Sequence, residues 1–464
     1  MQARAMDPRT RALLEAPIGA TIMRLALPNI VVMVVQASTG LIETYFVAKL
    51  GIDALAGMAL VFPVLMLVQM VSAGAMGGGI LSAIARTLGA GKLDTAGVLA
   101  WHAVAIAIGL GVATSAVMLL GGPWLYALMG GREGSLAAAV TYSGLVFAAA
   151  IPVWLFNSLA AVIRGTGNMI VPATVTAVGA VVLIPISPVL IFGLGPLPRL
   201  GIVGGAAAIA LYYVVGCAIF AFFIWSGRGV LKPTLRPPRL QWPPIREILR
   251  VGALSSLVSV TTNVSIATAT GLAGMISPAA AAGYGTGVRL EYLLVPLVFG
   301  LGAPVGAMVG TCIGAGLRER AVRVVWTGAA IAGGLTGAIG VAAALYPSAW
   351  LSLFGDDPTM LDVGTRYLQV VGPFYGFFGV GLALYFASQG AGRLGWPLIA
   401  AALRVTVAAG GGWLAVHAGY GVTGLFVALG VALALFGVIN VAAIAAGVWF
   451  RQSEPQGLRT PLVR

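Results

Sequence analysis

The chain has 464 residues, of which 59% are hydrophobic and 8% charged, and its mean hydropathy is +1.01. A soluble domain of average usage carries about 25% charged residues, so the composition excludes a soluble globular protein and indicates an integral membrane protein. The net charge of +13 comes from basic residues scattered through short loops without a recognition motif, which points to topology and anionic lipid rather than nucleic acid.

Residues 1–24 are polar and basic rather than signal-like, and the first apolar run, 25–48, is too long for a cleaved leader. That run contains a carboxylate, Glu43, about 27 Å along the helix from Leu25 and so in the far half of a bilayer core roughly 30 Å thick. A charge at that depth costs several kcal/mol unless it is paired, hydrated or protonated. Counting back by sevens from Glu43 gives Gln36 and Asn29, a slowly drifting polar stripe with Thr39 and Gly40 beside it. The stripe must face protein or water, so Asn29, Gln36 and Thr39 are cavity candidates and Glu43 is the candidate ion site.

Further helical spans follow near 54–83, 96–120, 136–161, 170–193, 203–225, 248–275, 280–311, 322–346, 364–387, 395–417 and 423–450. Glycines and prolines interrupt the second span (Gly74 to Gly79) and the eighth (Gly300 to Pro304), where kinks are expected. A basic linker with five prolines, Gly227 to Arg246, bisects the chain. Lys49, Arg132, Arg199 and Arg366 fall on one side of the membrane. The basic N-terminus, linker and tail fall on the other with most of the rest, which puts both termini in the cytoplasm. Cys217 and Cys312 lie in apolar runs with neither disulfide nor metal spacing.

The chain repeats itself. Leu88-Gly-Ala-Gly91 recurs as Ile313-Gly-Ala-Gly316, and Gly165, Gly167 and Pro172 recur as Gly390, Gly392 and Pro397, all 225 residues on. Several matches at one spacing mark a duplication, and six spans per half make the halves parallel repeats. The expected fold is an all-α integral membrane protein of about twelve transmembrane helices, in two parallel six-helix lobes around a central cavity. The expected division is a cytoplasmic segment (1–24), an N-lobe (25–226), the linker (227–247), a C-lobe (248–450) and a cytoplasmic tail (451–464). Such halves commonly form a carrier that rocks about a midplane site.

Leu27-Pro28, Ile42-Glu-Thr-Tyr-Phe-Val-Ala-Lys-Leu-Gly51, Leu88-Gly-Ala-Gly91, Arg164-Gly-Thr-Gly167, Leu190-Ile-Phe-Gly193 and Arg289-Leu-Glu291 follow in this order, with Gly300-Leu-Gly302 and Gly310-Thr-Cys-Ile-Gly-Ala-Gly316 behind them. This ordered set resembles the multidrug and toxic compound extrusion (MATE) family from about Ala16 to Phe450. The resemblance implies a plasma-membrane antiporter that exports small organic compounds, often cationic or aromatic, against inward H⁺ or Na⁺ flow. The family's first span usually carries an Asp fifteen residues after its Pro, and Glu43 stands fifteen after Pro28. The resemblance therefore implies ion coupling at Glu43.

Two departures bear on the ion. Leu183 and Ser187 stand where such members place Asn and Asp, and the seventh and tenth spans carry none of the acids of Na⁺-coupled members. A cage of several carboxylates for Na⁺ is thus not expected, which favours H⁺. Asn263, on a hydroxyl-rich face with Ser256, Ser259 and Thr270, could line a cavity or pack between helices. Arg289 and Glu291 could contact cargo or pair across to other spans. Arg404 is expected to snorkel or to cap carbonyls, and His102 and His417 to lie at the interface. No nucleophile–base set or nucleotide motif is present, so neither enzyme activity nor a cofactor is expected, and a monomer is. The alternatives are a lipid-linked saccharide flippase of the same broader superfamily and a non-transporting membrane receptor or scaffold.

Overall fold

The computed structural model describes residues 7–193 and 198–451, and over these the chain is helices joined by short turns, with no strand. Residues 194–197, the first six residues of the expected N-terminal segment and the expected tail beyond Arg451 lie outside the described residues. In the first half, α1 (Pro8–Glu15) leads into α2 (Ile18–Ala48). The second span is α3 (Ile52–Gln69), a π-helical stretch (Met70–Met76) and α4 (Gly77–Gly89), and the third is α5 (Leu93–Leu128). α6 (Glu133–Ala148) and α7 (Ala150–Gly165) form the fourth, followed by α8 (Ile170–Phe192) and α9 (Ile202–Trp225). The second half holds α10 (Trp242–Ile276), α11 (Pro278–Gly314), α12 (Arg318–Leu345) and the short α13 (Pro347–Leu351). α14 (Pro358–Val371) and α15 (Tyr375–Ala391) follow, then α16 (Gly395–Thr406), a π-helical turn (Val407–Gly411), α17 (Gly412–His417), α18 (Gly421–Ala445) and α19 (Val448–Arg451). Among the described residues, eleven helices are long and apolar enough to cross a bilayer, or twelve when the bent α6–α7 pair counts as one. These are the spans expected from hydropathy.

The interruptions have local causes. Proline lacks an N–H, so the carbonyl four residues earlier loses its donor and the helix opens. Pro152 does this at the junction of α6 and α7, which are bent by 49°. Pro373 sits in the 3₁₀ turn Gly372–Phe374 between α14 and α15. In α11, Pro304 lies inside a continuous helix and leaves the Gly300 carbonyl without its intrahelical donor. Asn29 supplies the missing hydrogen bond, its Nδ2 donating to Gly300 O at 3.5 Å. The approach is close because Gly300 has no side chain: a Cβ there would meet Ile30 Cγ1 at 2.8 Å.

By packing, the described chain divides into two compact units, Met1–Val260 with Leu293–Gly328, and Thr261–Tyr292 with Ala329–Arg464. The division runs through α10, α11 and α12, whereas the lobes expected from the repeat change at the linker. The start of α10 belongs to the first unit because Gly79 lies against Ile248 O and Gly252 against the Met76 thioether. The end of α11 belongs there because it crosses α4 backbone to backbone at Gly89 and Gly314. Within the first unit α2 packs on α8, α3 on α6, and α5 on α7. In the second, α18 is the hub for α14, α15 and α16.

The linker is docked on the first unit. Trp101 Nε1 donates to Thr234 O at 2.9 Å, and Pro233 lies on Gly97. His102, expected at an interface, is fully buried. Its Nε2 accepts the Gln241 N–H at 2.9 Å, so Nδ1 carries the proton and donates to Val98 O, also at 2.9 Å. A buried imidazole is tolerated here because both of its nitrogens are satisfied. Arg86 bonds Ser82 and Glu247, the latter at 2.5 Å, and ties the start of α10 to α4.

Candidate functional site

The first unit encloses an open cavity of about 500 Å³, walled by α2, α3, α6, α7, α8 and α9. Its lining is mostly apolar and aromatic, and Glu43 is the one carboxylate in it. Glu43 Oε1 is buried and has no hydrogen-bond partner among the described residues. Tyr142 and Tyr213 lie within electrostatic reach of that carboxylate. α2 presents Gln36, Thr39 and Glu43 to the cavity together because residues three, four and seven apart share a helix face. The Thr39 hydroxyl is spent on its own helix, donating to Val35 O at 2.8 Å, while Gln36 is exposed and approached by the Tyr212 hydroxyl.

The cavity's other polar wall was not evident from the sequence. α3 ends at Gln69, where the π-helical stretch begins and shifts the facing of every later residue. Asn157 Nδ2 donates to Gln69 Oε1 at 3.1 Å and to Ser72 Oγ at 2.8 Å, and Tyr213 OH donates to Gln69 Oε1 at 3.5 Å. The amide of Gln69 is thereby held at the wall. Leu183 also lines the cavity, and Ser187 is buried with no partner for its Oγ among the described residues.

The remaining candidates lie elsewhere. Asn29 is buried outside the cavity lining, on the Gly300 carbonyl. Asn263 is exposed on α10. Arg289 is exposed too, its guanidinium 4.9 Å from the Phe354 ring centre, so it does not meet Glu291, which is buried in the second unit. Two residues apart, the pair point to different sides of α11.

Glu291 Oε2 accepts from Tyr367 OH at 3.3 Å, and Tyr375 OH donates to Tyr367 OH at 3.3 Å. Tyr284 crosses Tyr367 edge to face at 5.3 Å. Arg404 also lies here, which corrects the expectation that it snorkels: it is 4% exposed, between Phe378 at 5.5 Å and Phe436 at 5.3 Å. The two rings offer a guanidinium cation–π contacts worth about 2 kcal/mol when desolvated. Arg404 and Glu291 share the wall of a small void of about 20 Å³ without closing into an ion pair. A void of that size has room for about one water and none for an organic molecule, so the cluster reads as a buried polar core rather than a cargo site. Among the described residues no three His, Cys, Asp or Glu side chains gather where a metal ion could be held.

The sequence profile of the MatE family matches the chain twice, over residues 28–189 and 255–414, one match in each half. The chain belongs to the MatE family. This MatE chain is 27% identical over 371 residues to an FAD transporter of Shewanella oneidensis, covering 79% of this chain and 81% of that protein. It is 26% identical over 388 residues to a probable multidrug resistance protein NorM of Thermotoga maritima, covering 83% of each. A crystal structure of a MATE in the bent conformation superposes with a TM-score of 0.87 at 24% identity, over 95% of this chain and 98% of that one. The MatE chain is therefore a multi-pass membrane transporter and not an enzyme, with the fold of solved MATE structures.

Proposed function

We propose that this transporter exports small organic compounds, cationic or aromatic, across the cell membrane in exchange for inward H⁺, with both termini in the cytoplasm. The observation that carries the reading is the unpartnered Glu43 oxygen in an aromatic cavity of about 500 Å³. That volume suits a drug-sized molecule, for which pockets run roughly 300–1,000 Å³. A desolvated carboxylate without a partner needs a proton or a cation to neutralise it. Proton and cationic cargo would then compete for one site, and exchange follows from that competition. Access alternates as the N-lobe and C-lobe rock. A lone carboxylate offers too few oxygens for a dedicated Na⁺ cage. All lining residues come from one unit, so a monomer suffices. The relatives, an FAD transporter and a probable multidrug resistance protein, support organic cargo. The lining holds no lysine or arginine, which disfavours a saccharide flippase for anionic lipid-linked cargo.

The test is efflux of ethidium from cells carrying wild type or Glu43→Gln, with and without a pH gradient. Wild type should need the gradient and the variant should not respond to it. Equal gradient-driven efflux by both would remove Glu43 from coupling, and dependence on Na⁺ at fixed pH would overturn the proton assignment.

A further inference from the structure

α1 is held by loops from both halves of the repeat. Leu13 is buried directly on Gly167, where a Cβ would meet Leu13 Cδ1 at 2.7 Å. Gly167 closes the Arg164-Gly-Thr-Gly turn of the first half with φ +81°, a conformation that a side chain would strain. Leu14 is buried against Cys312 and Ala321, with Ile313 and Ala315 around it, on the Gly-Ala-Gly turn of the second half. Arg320, in the first turn of α12, donates through Nη2 to Ala16 O at 2.5 Å and to Leu13 O at 3.3 Å, and through Nε to Leu13 O at 3.4 Å. Carbonyls at a helix C-terminus have no intrahelical donor, and a guanidinium there also meets the negative end of the helix dipole. At the other end Asp7 caps α1, accepting from Arg9 N at 2.9 Å. Eight residues are too few to hold a helix alone in water, so these contacts make it one. Nearby, α4 and α11 cross at Gly89 and Gly314 with no side chain between them.

We propose that α1 is a cytoplasmic strap that fastens the Gly-Thr-Gly turn of the first half to the Gly-Ala-Gly turn of the second. It must lift before that side of the first unit can open. The cytoplasmic placement and the need to open rest on the proposed export function, whereas the fastening rests on the contacts of Leu13, Leu14 and Arg320. Release exposes Leu14 and uncovers Cys312, which is fully buried in the strapped form. Cys312 is thus a built-in reporter.

The experiment uses the full chain with Cys217→Ser, so that Cys312 is the only thiol. Leu13→Ala, which empties the seat on Gly167 and leaves the Arg320 contact with the Cys312 thiol in place, should speed N-ethylmaleimide labelling of Cys312 about tenfold. Arg320→Ala, which removes that contact as well as the bonds to α1, should speed it too. Arg320→Lys, which retains a donor, should speed it less. In a Leu14→Cys chain, oxidation by copper phenanthroline should join the new thiol to Cys312 and stop ethidium efflux, and dithiothreitol should restore it. Labelling of folded Leu13→Ala protein no faster than the parent, or full efflux through the cross-linked chain, overturns the strap. Should the parent move no ethidium, the export reading fails while the labelling rates still decide the strap.

Discussion

Gly89 and Gly314 stand at equivalent positions of the repeat, and each lies on the other helix's backbone. A Cβ on Gly89 would overlap Thr311 O, and one on Gly314 would overlap Arg86 O. Arg86 and Thr311 are themselves 225 residues apart, so the crossing of α4 and α11 has a local two-fold character. The duplicated Gly-Ala-Gly motifs, which mark the repeat in the sequence, also let two helices touch through their main chains.

Alanine at Gly89 or Gly314 should destabilise the protein. Relief of glycine's helix penalty returns about 1 kcal/mol, while separating two backbones in a packed crossing costs about 1–3 kcal/mol or more. The clash wins, and the melting temperature in detergent should fall for either variant. An unchanged value would show that the crossing can relax without loss.

Glu43→Gln should leave the melting temperature unchanged or raise it. A structural acid is held by hydrogen bonds and its loss costs stability, but Glu43 Oε1 has no partner to lose. The neutral amide also removes the charge from an apolar wall, where an unpaired carboxylate costs several kcal/mol. A fall of several degrees would mark Glu43 as a structural acid.

Tyr367→Phe should cost about 1–3 kcal/mol, because it strands Glu291 Oε2 and the Tyr375 hydroxyl in the core together. Combined with Tyr375→Phe, the loss should be less than additive, since the second change removes a group already stranded. Thermal unfolding of the two single variants and the double variant measures the coupling, and strict additivity would break the proposed chain.

His102→Leu should free the linker. The Gln241 N–H donates to His102 Nε2, and leucine leaves it without an acceptor. Hydrogen exchange at Gln241 should accelerate about tenfold or more, for the loss of one buried acceptor. Exchange in the body of α5 should not change. Equal protection at Gln241 in both proteins would show that Trp101 and Pro233 hold the linker unaided.

The spans and the duplication were legible because both are written in period and hydropathy, which the bilayer enforces along the whole chain. Glu43 was legible for the same reason, since a carboxylate in an apolar run stands out. Gln69 was not: its role depends on Asn157, 88 residues away, and on a π-helical shift that hydropathy does not register. Arg404 was not legible either, because nearness to the cytoplasmic end of its span suggests a reach to water. Phe378, Phe436 and Glu291 come to it only in the folded unit. Asn29 shows both sides: its polarity flagged it, but its acceptor follows from a proline 275 residues later.

Glu43 is the single formal charge among the side chains lining the cavity. On the exchange proposed here, one monovalent organic cation leaves for each proton that enters, and no net charge crosses the membrane. Membrane voltage, worth about 2.3 kcal/mol per charge per 100 mV, would then do no work on the cycle. Ethidium efflux should respond to the pH difference and stay unchanged when a potassium–valinomycin clamp alters the potential at fixed pH. A zwitterionic or neutral cargo would break that balance, so its export would be electrogenic and would run faster at an inside-negative voltage.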